Sequence, residues 1–165
     1  MIVEPLARGH SRANFDCGDE EVTRFLREKA LQDAGRDLSR TSVLVDEQTD
    51  SQRIIGYYTL LLMQVAQEAM PNDKPRIKRP IPVVLLGQLG IDMTFQGRGY
   101  GDLLLTDVQA RTDEIADKIG VRALMLDARN ERLAQWYESH DFIRLPNQLR
   151  MFKSISTIRA LKLFP

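Results

Sequence analysis

The spacing of apolar positions changes several times along the chain, and each change marks a boundary between predicted elements. MIVEPLARGH opens with a short strand. In FDCGDEEVTRFLREKALQDAGRD, Val22, Phe25, Leu26 and Ala30 recur at helical spacing behind an acidic first turn of Asp19, Glu20 and Glu21, which predicts an amphipathic helix. TSVLVDE and RIIGYYTLLLMQVA are rich in β-branched and aromatic residues, and the polar QTDSQ between them predicts a hairpin. IPVVLLGQLGID is an apolar run suited to a buried central strand. Helical spacing returns from about Tyr100 to Ile119 with Gly120 as C-cap, and VRALMLDA predicts a further buried strand. NERLAQWYESH predicts a short helix capped by Asn130, and LRMFKSI alternates as a last strand. The predicted fold class is α/β (α+β), a mixed sheet with flanking helices.

Composition narrows the picture. The length of 165 residues at 43% hydrophobic content suits one domain, expected to span 1–165. No apolar run approaches the roughly 18 residues of a membrane span, and no leader pattern opens the chain, so a cytoplasmic protein is expected. Cys17 is the lone cysteine, which excludes an internal disulfide, and with only His10 and His140 beside it no metal-ligand set is expected. A formal net charge of zero argues against a uniformly basic nucleic-acid binder. The charge is nevertheless uneven. From Ile143 to Pro165 there are Arg144, Arg150, Lys153, Arg159 and Lys162 and no acid, and Lys74, Arg76, Lys78 and Arg79 cluster in the proline-rich NDKPRIKRPIP. Each cluster is either a solvated segment or a phosphate-binding patch. Arginine outnumbers lysine, which suits bidentate phosphate contacts.

QGRGYG, Gln96 to Gly101, sits where the central strand hands over to the long helix. The stretch is either a turn that merely connects strand and helix or a binding loop, and a cost of about 1 kcal/mol for each glycine in a helix start favours the second. A helix N-terminus offers unpaired N–H groups and a positive dipole end, and glycines let an anion approach both. A P-loop is excluded because Asp102, not Lys, follows Gly101, and the dinucleotide fingerprint needs its third glycine one place later.

The stretch resembles the pyrophosphate loop of the GNAT superfamily of acetyl-CoA-dependent N-acetyltransferases: Gln or Arg, two residues, Gly, one residue, Gly or Ala, matched by Gln96, Gly99 and Gly101. The element order and ARNERLAQWYESHDFI are also similar to that family over nearly the whole chain. The resemblance implies a GNAT fold with splayed central strands. Backbone groups of Leu89, Gly90 and Ile91 would hold the pantetheine arm of acetyl-CoA, one amide polarising the thioester carbonyl. Amides of Gln96, Gly97, Arg98, Gly99, Tyr100 and Gly101 would hold the pyrophosphate, with Arg98 either an added cation or a residue facing water. Asn130 is either a coenzyme contact or a helix cap. Tyr137 matches the tyrosine that protonates the departing thiolate; the alternative is a core aromatic beside Trp136. A phenol with an ordinary pKa near 10 carries that proton at neutral pH. Cys17 is far in sequence from every motif, so no covalent enzyme intermediate is expected, and His140 and Glu138 are minor candidates for a base. The family usually has glycine before the phenylalanine where this chain has Asp141-Phe142.

FDCGDEEVTRFLREKALQDAGRDLSRTSVLV and LGQLGID also look like the GNAT toxins of bacterial toxin–antitoxin modules. That resemblance implies acetylation of the α-amino group of aminoacyl-tRNA, arrest of translation, a ribbon-helix-helix antitoxin as partner, and a homodimer. Lys74, Arg76, Lys78, Arg79, Arg144, Arg150 and Lys153 would then neutralise tRNA phosphates. An α-amino group has a pKa near 8, so no strong base is required. Two alternatives stay open: a GNAT enzyme acting on a small amine or protein amino group, and a non-catalytic acetyl-CoA or partner-binding member.

Overall fold

The computed structural model describes residues 1–70 and 76–161; Lys74 and Lys162 fall outside them. Seven strands form one mixed sheet in the order β1-β2-β3-β4-β5-β7-β6. They are β1 (Ile2–Pro5), β2 (Arg40–Val45), β3 (Gly56–Val65), β4 (Ile81–Ile91), β5 (Ala123–Asp127), β6 (Ile143–Arg144) and β7 (Arg150–Ser154). The helices are α1 (Glu20–Arg24), α2 (Ala30–Gly35), α3 (Tyr100–Lys118), α4 (Glu131–Glu138) and α5 (Ile155–Ala160). The chain divides into two compact units. The first comprises Met1–Leu61 and Gly87–Val108, the second Leu62–Leu86 and Gln109–Pro165.

In the first unit β1 pairs antiparallel with β2, and β2 with β3, joined by the predicted polar turn. The predicted amphipathic helix is present with a difference: Asp19 is its N-cap, accepting from the Glu21 and Val22 amides, and Phe25–Lys29 form a π-helical segment between α1 and α2. Its apolar stripe packs Val22, Leu26 and Ala30 against Phe15, Val43, Val45, Ile54 and Tyr57. Each such buried side chain of Val, Leu, Ile or Phe stabilises the fold by about 1.5–3 kcal/mol before entropy is counted. Thr41 and Thr59, both buried, satisfy one another through a 2.7 Å hydroxyl contact across β2 and β3.

In the second unit the first part of β4 pairs parallel with β5, and β7 pairs antiparallel with both β5 and the two-residue β6. Its core is Val65, Met70, Ile81, Val83, Ala123, Met125, Leu145 and Phe152. β6 and α5 were not legible in the sequence; one is too short to show alternation, the other a single-and-a-half-turn segment capped by the Ser154 hydroxyl on the Thr157 amide. Gly120 follows α3 but does not adopt the left-handed conformation of a glycine C-cap. Asp141 does, with φ 67°, so the tight turn after α4 survives without glycine. Aspartate tolerates that region better than most residues. Among the described residues, no helix is long and apolar enough to cross a membrane.

Candidate active site

The first unit carries the strand end and glycine loop. Leu89, Gly90 and Ile91 close β4, half-buried. Gly90 is required by packing: a Cβ there would lie 2.9 Å from Val22 Cγ1 and 3.2 Å from the Cys17 sulfur. Gly56 is tighter still, its Cβ position falling 2.6 Å from Ile91 Cδ1 and 3.0 Å from the Gly90 carbonyl oxygen. The strand end is tied down by Asp92, which is 4% exposed and accepts from the Asp16 amide at 3.0 Å and the Thr94 amide at 2.9 Å. The Met93 amide answers by donating to the Asp16 carbonyl at 2.8 Å. Phe15-Asp16-Cys17-Gly18 is therefore the buttress of the β4 end. Sequence separation had put Cys17 apart from the motifs; the fold brings it against Gly90. Asp92, Asp16 and Gly56 were not singled out in the sequence, because their partners lie more than 30 residues away.

Gln96 is exposed, and its side-chain amide is engaged within the protein. Its Nε2 donates to the Cys17 carbonyl at 2.9 Å and to the Ile91 carbonyl at 2.8 Å, clamping the loop to the strand end and to the buttress. Gly97 and Gly99 adopt φ 77° and 82°, a region that L side chains rarely enter, and a Cβ on either would meet nothing within 4 Å. Their glycine requirement is thus one of backbone conformation and clear space, not of packing. The loop runs straight into α3, whose first N–H groups lack intrahelical acceptors. An exposed, left-handed glycine pair before a helix N-terminus fits the approach of a diphosphate, and so fits acetyl-CoA. Arg98 is exposed, its guanidinium 5.4 Å from the Phe95 ring centroid.

The second unit carries Tyr137, the candidate acid, and most of the candidate phosphate-binding cations. Asn130 caps α4, its Oδ1 accepting from the Leu133 amide at 2.9 Å, which occupies the carbonyl end of the side chain and leaves its NH2 outside the cap. Tyr137 is 6% exposed, edge-on to Trp136 at 4.8 Å and to Phe142 at 5.5 Å. The other two deeply buried phenols are partnered: Tyr57 donates to the Val22 carbonyl and Tyr58 to Asp107 at 2.6 Å. Among the described residues no partner meets the Tyr137 hydroxyl, which is not one of the fully buried unsatisfied polar atoms. Burial pushes its pKa well above the ordinary phenol value, so it is fully protonated at neutral pH. Glu138 is engaged by Arg144, and the His140 ring packs on Trp136 at 5.0 Å.

The basic tail is not the free cationic surface that its sequence suggests. Arg144 binds Glu131 at 2.8 Å and Glu138 at 2.6 Å, and Arg150 grips Asp127 through two contacts of 2.8 and 2.9 Å. Arg159 binds Asp113 and Asp117, both at 2.6 Å. The tail contains no acid, but these acids arrive from β5, α3 and α4. Lys153, expected as a phosphate contact, is placed in the interior. It is 2% exposed, its ammonium donating to Gln109 Oε1 at 2.6 Å and to the His140 carbonyl at 3.0 Å. Burial lowers its pKa, with Asp141 opposing that shift. The proline-loop cations behave otherwise: Arg76, Lys78 and Arg79 are exposed, without an ion pair among the described residues, and line a groove of about 840 Å³ with Gln64, Gln67 and Glu68.

No family model matches the chain. It is 34% identical over 173 residues to the probable toxin TacT of Sinorhizobium fredii, covering 97% of this chain and 94% of that protein. It is 32% identical over 153 residues to a tRNA-acetylating toxin of Mycobacterium tuberculosis, covering 90% of this chain and 88% of that one. Among solved structures, AtaT complexed with acetyl-methionyl-tRNAfMet superposes with a TM-score of 0.87 at 27% identity, over 97% of this chain and 98% of that chain. A mutant AtaT toxin bound to acetyl-CoA and the C-terminus of the antitoxin AtaR gives 0.81 at 26% identity, over 97% and 96%. With this similarity running along nearly the full length of both curated relatives, the chain belongs to the family of tRNA-acetylating toxins, acetyltransferases of the GNAT fold.

Proposed function

We propose that the chain transfers an acetyl group to the α-amino group of an aminoacyl-tRNA and, by blocking that amine, halts translation as the toxin of a toxin–antitoxin module. The observation that carries this reading in the geometry is Tyr137: a buried, fully protonated phenol without a partner for its hydroxyl among the described residues, on a helix capped by Asn130. Acetyl-CoA supplies an activated thioester and a leaving thiolate. The amides of Gln96 to Gly101 bind its diphosphate, with Arg98 as an added cation. Backbone groups of Leu89, Gly90 and Ile91 orient the pantetheine arm, and one amide there polarises the thioester carbonyl as negative charge builds on oxygen. The NH2 of Asn130, outside the cap, is a further coenzyme contact. Tyr137 Oη gives its proton to the departing sulfur. The chain needs no strong base, because a useful fraction of an α-amino group is already deprotonated at neutral pH.

Arg76, Lys78 and Arg79, with Lys74 beside them in sequence, hold tRNA phosphates; Arg144 and Arg150 join only if a phosphate displaces their carboxylates. The chain acts as one acetyltransferase domain over 1–165, in the cytoplasm, as a homodimer neutralised by a ribbon-helix-helix antitoxin. Similarity to AtaT, whose structures hold charged tRNA in one case and antitoxin with acetyl-CoA in another, supports these partners. A small-amine acetyltransferase is the competing reading, which calls for an acidic pocket that DMTFQGRGYGD and the basic proline loop do not supply in sequence.

The decisive assay incubates purified protein with radiolabelled acetyl-CoA and either charged or deacylated bulk tRNA. Label on charged tRNA alone is expected. Label on free amines or protein termini, with charged tRNA unmodified, would transfer the assignment to the competing reading.

A further inference from the structure

One cation at the glycine loop comes from a segment with no motif. Arg53 lies at the end of the β2–β3 turn, and its guanidinium sits 4.8 Å from the centroid of the Phe95 ring, the ring that Arg98 also covers at 5.4 Å. The ring itself is half-buried and held edge-on to Tyr100 at 6.4 Å. Arg53 does not arrive there on a loose loop. Its amide donates to the Asp50 carbonyl at 3.3 Å and to Asp50 Oδ1 at 3.2 Å. The preceding carbonyl, of Gln52, accepts from the Ser11 amide at 2.8 Å, and Ser11 and Arg53 form a β-bridge. The turn acids Asp46 and Asp50 spend their carboxylates on the turn itself, on the Gln48, Gln52 and Arg53 amides and the Thr49 hydroxyl.

Both arginines are exposed, and neither has an acidic partner among the described residues, whereas Arg40, Arg144, Arg150 and Arg159 all have one. Two like charges gathered at one ring repel by no more than about 1 kcal/mol in water at roughly 4 Å or beyond, and an exposed cation over a ring recovers about 0.5–1 kcal/mol. A guanidinium stacked on a ring keeps its N–H edge free in its own plane, the edge that grips phosphate. The ring therefore holds two forks ready beside a loop whose glycines open onto clear space.

We propose that Arg53 and Arg98, organised by Phe95, form a two-arginine clamp for a phosphate of the coenzyme, with Arg53 contributing a contact that the glycine loop alone does not provide. This rests on the acetyl-CoA reading above. The coenzyme offers two sources of that chemistry, the diphosphate and the 3′-phosphate of its ribose.

The test is calorimetric titration of wild-type, Arg53→Ala and Arg53→Gln protein with acetyl-CoA and with 3′-dephospho-acetyl-CoA, alongside filter binding of charged tRNA. Arg53 is exposed, so unchanged thermal melts are expected for both variants. A clamp on the 3′-phosphate makes the wild type prefer acetyl-CoA by roughly tenfold and makes Arg53→Ala lose the preference. A clamp on the diphosphate makes Arg53→Ala weaken both ligands by that factor; either result supports the proposal. Unchanged affinity of Arg53→Ala for both ligands overturns it, and if charged-tRNA affinity falls instead, the arginine belongs to the nucleic-acid surface. A wild type that binds neither coenzyme form would refute the acetyl-CoA reading itself, which is a separate outcome.

Discussion

Tyr137 and Lys153 show how differently two polar side chains of one unit use burial. Tyr137 hides its ring and leaves its hydroxyl without a partner among the described residues; Lys153 hides its charge and satisfies it with Gln109 and the His140 carbonyl. Removing the Tyr137 hydroxyl takes away a proton donor but no packing. Tyr137→Phe should therefore lower kcat by about 10²- to 10⁴-fold with acetyl-CoA affinity and melting temperature retained. Steady-state kinetics and calorimetry on the same preparation check both halves. Because burial raises the Tyr137 pKa, no loss of acid function is expected below about pH 10. Lys153 titrates in the opposite sense. Its folded-state pKa lies below its unfolded value near 10.5, so between the two the unfolded chain holds more protons and stability rises with pH. Lys153→Met should abolish that increment, visible as a smaller gain in urea midpoint relative to wild type between neutral and alkaline pH. A wild type and variant with parallel profiles would show that the ammonium is not desolvated.

At the scale of elements, glycine serves two separate ends. At Gly56 it admits Ile91 and the Gly90 carbonyl, and at Gly99 it admits a left-handed backbone facing open space. Gly56→Ala should destabilise by about 1–3 kcal/mol through overpacking. Gly99→Ala should cost about 1–2 kcal/mol in backbone strain, and should weaken acetyl-CoA binding out of proportion to that loss. Thermal melts with and without the ligand separate the two effects. The order of strands and helices, apart from β6 and α5, was legible in the sequence because hydrophobic period and turn chemistry are local. The π segment at Phe25–Lys29 was not, since its apolar spacing still fits an ordinary helix. Gln96 was legible as a motif position, but its bond to the Cys17 carbonyl joins residues 79 apart, and no local pattern announces such a contact.

For the whole molecule, the distribution of charge changes most between chain and fold. The tail cations Arg144, Arg150 and Arg159 are spent on acids from other elements, and Arg76, Lys78 and Arg79 are left exposed, without an ion pair among the described residues. Salt dependence of charged-tRNA binding reads this out. Replacing Arg76, Lys78 and Arg79 together by alanine should flatten the slope of log affinity against log salt by about one per lost phosphate contact. Replacing Arg150 should change it little, and the reverse ranking would return the tRNA surface to the tail. The sequence by itself determined the glycine loop and, apart from β6 and α5, the run of elements, because each is written in residues a few positions apart, and its resemblance to the GNAT family singled out Tyr137 as the candidate acid. Only the tertiary structure decided which cations remain free, that Lys153 is buried, that the Phe-Asp-Cys-Gly segment buttresses the β4 end, and that Arg53 meets Arg98 at Phe95. Neutralisation, burial and convergence are properties of neighbours in space, and the chain supplies those neighbours from far along its length.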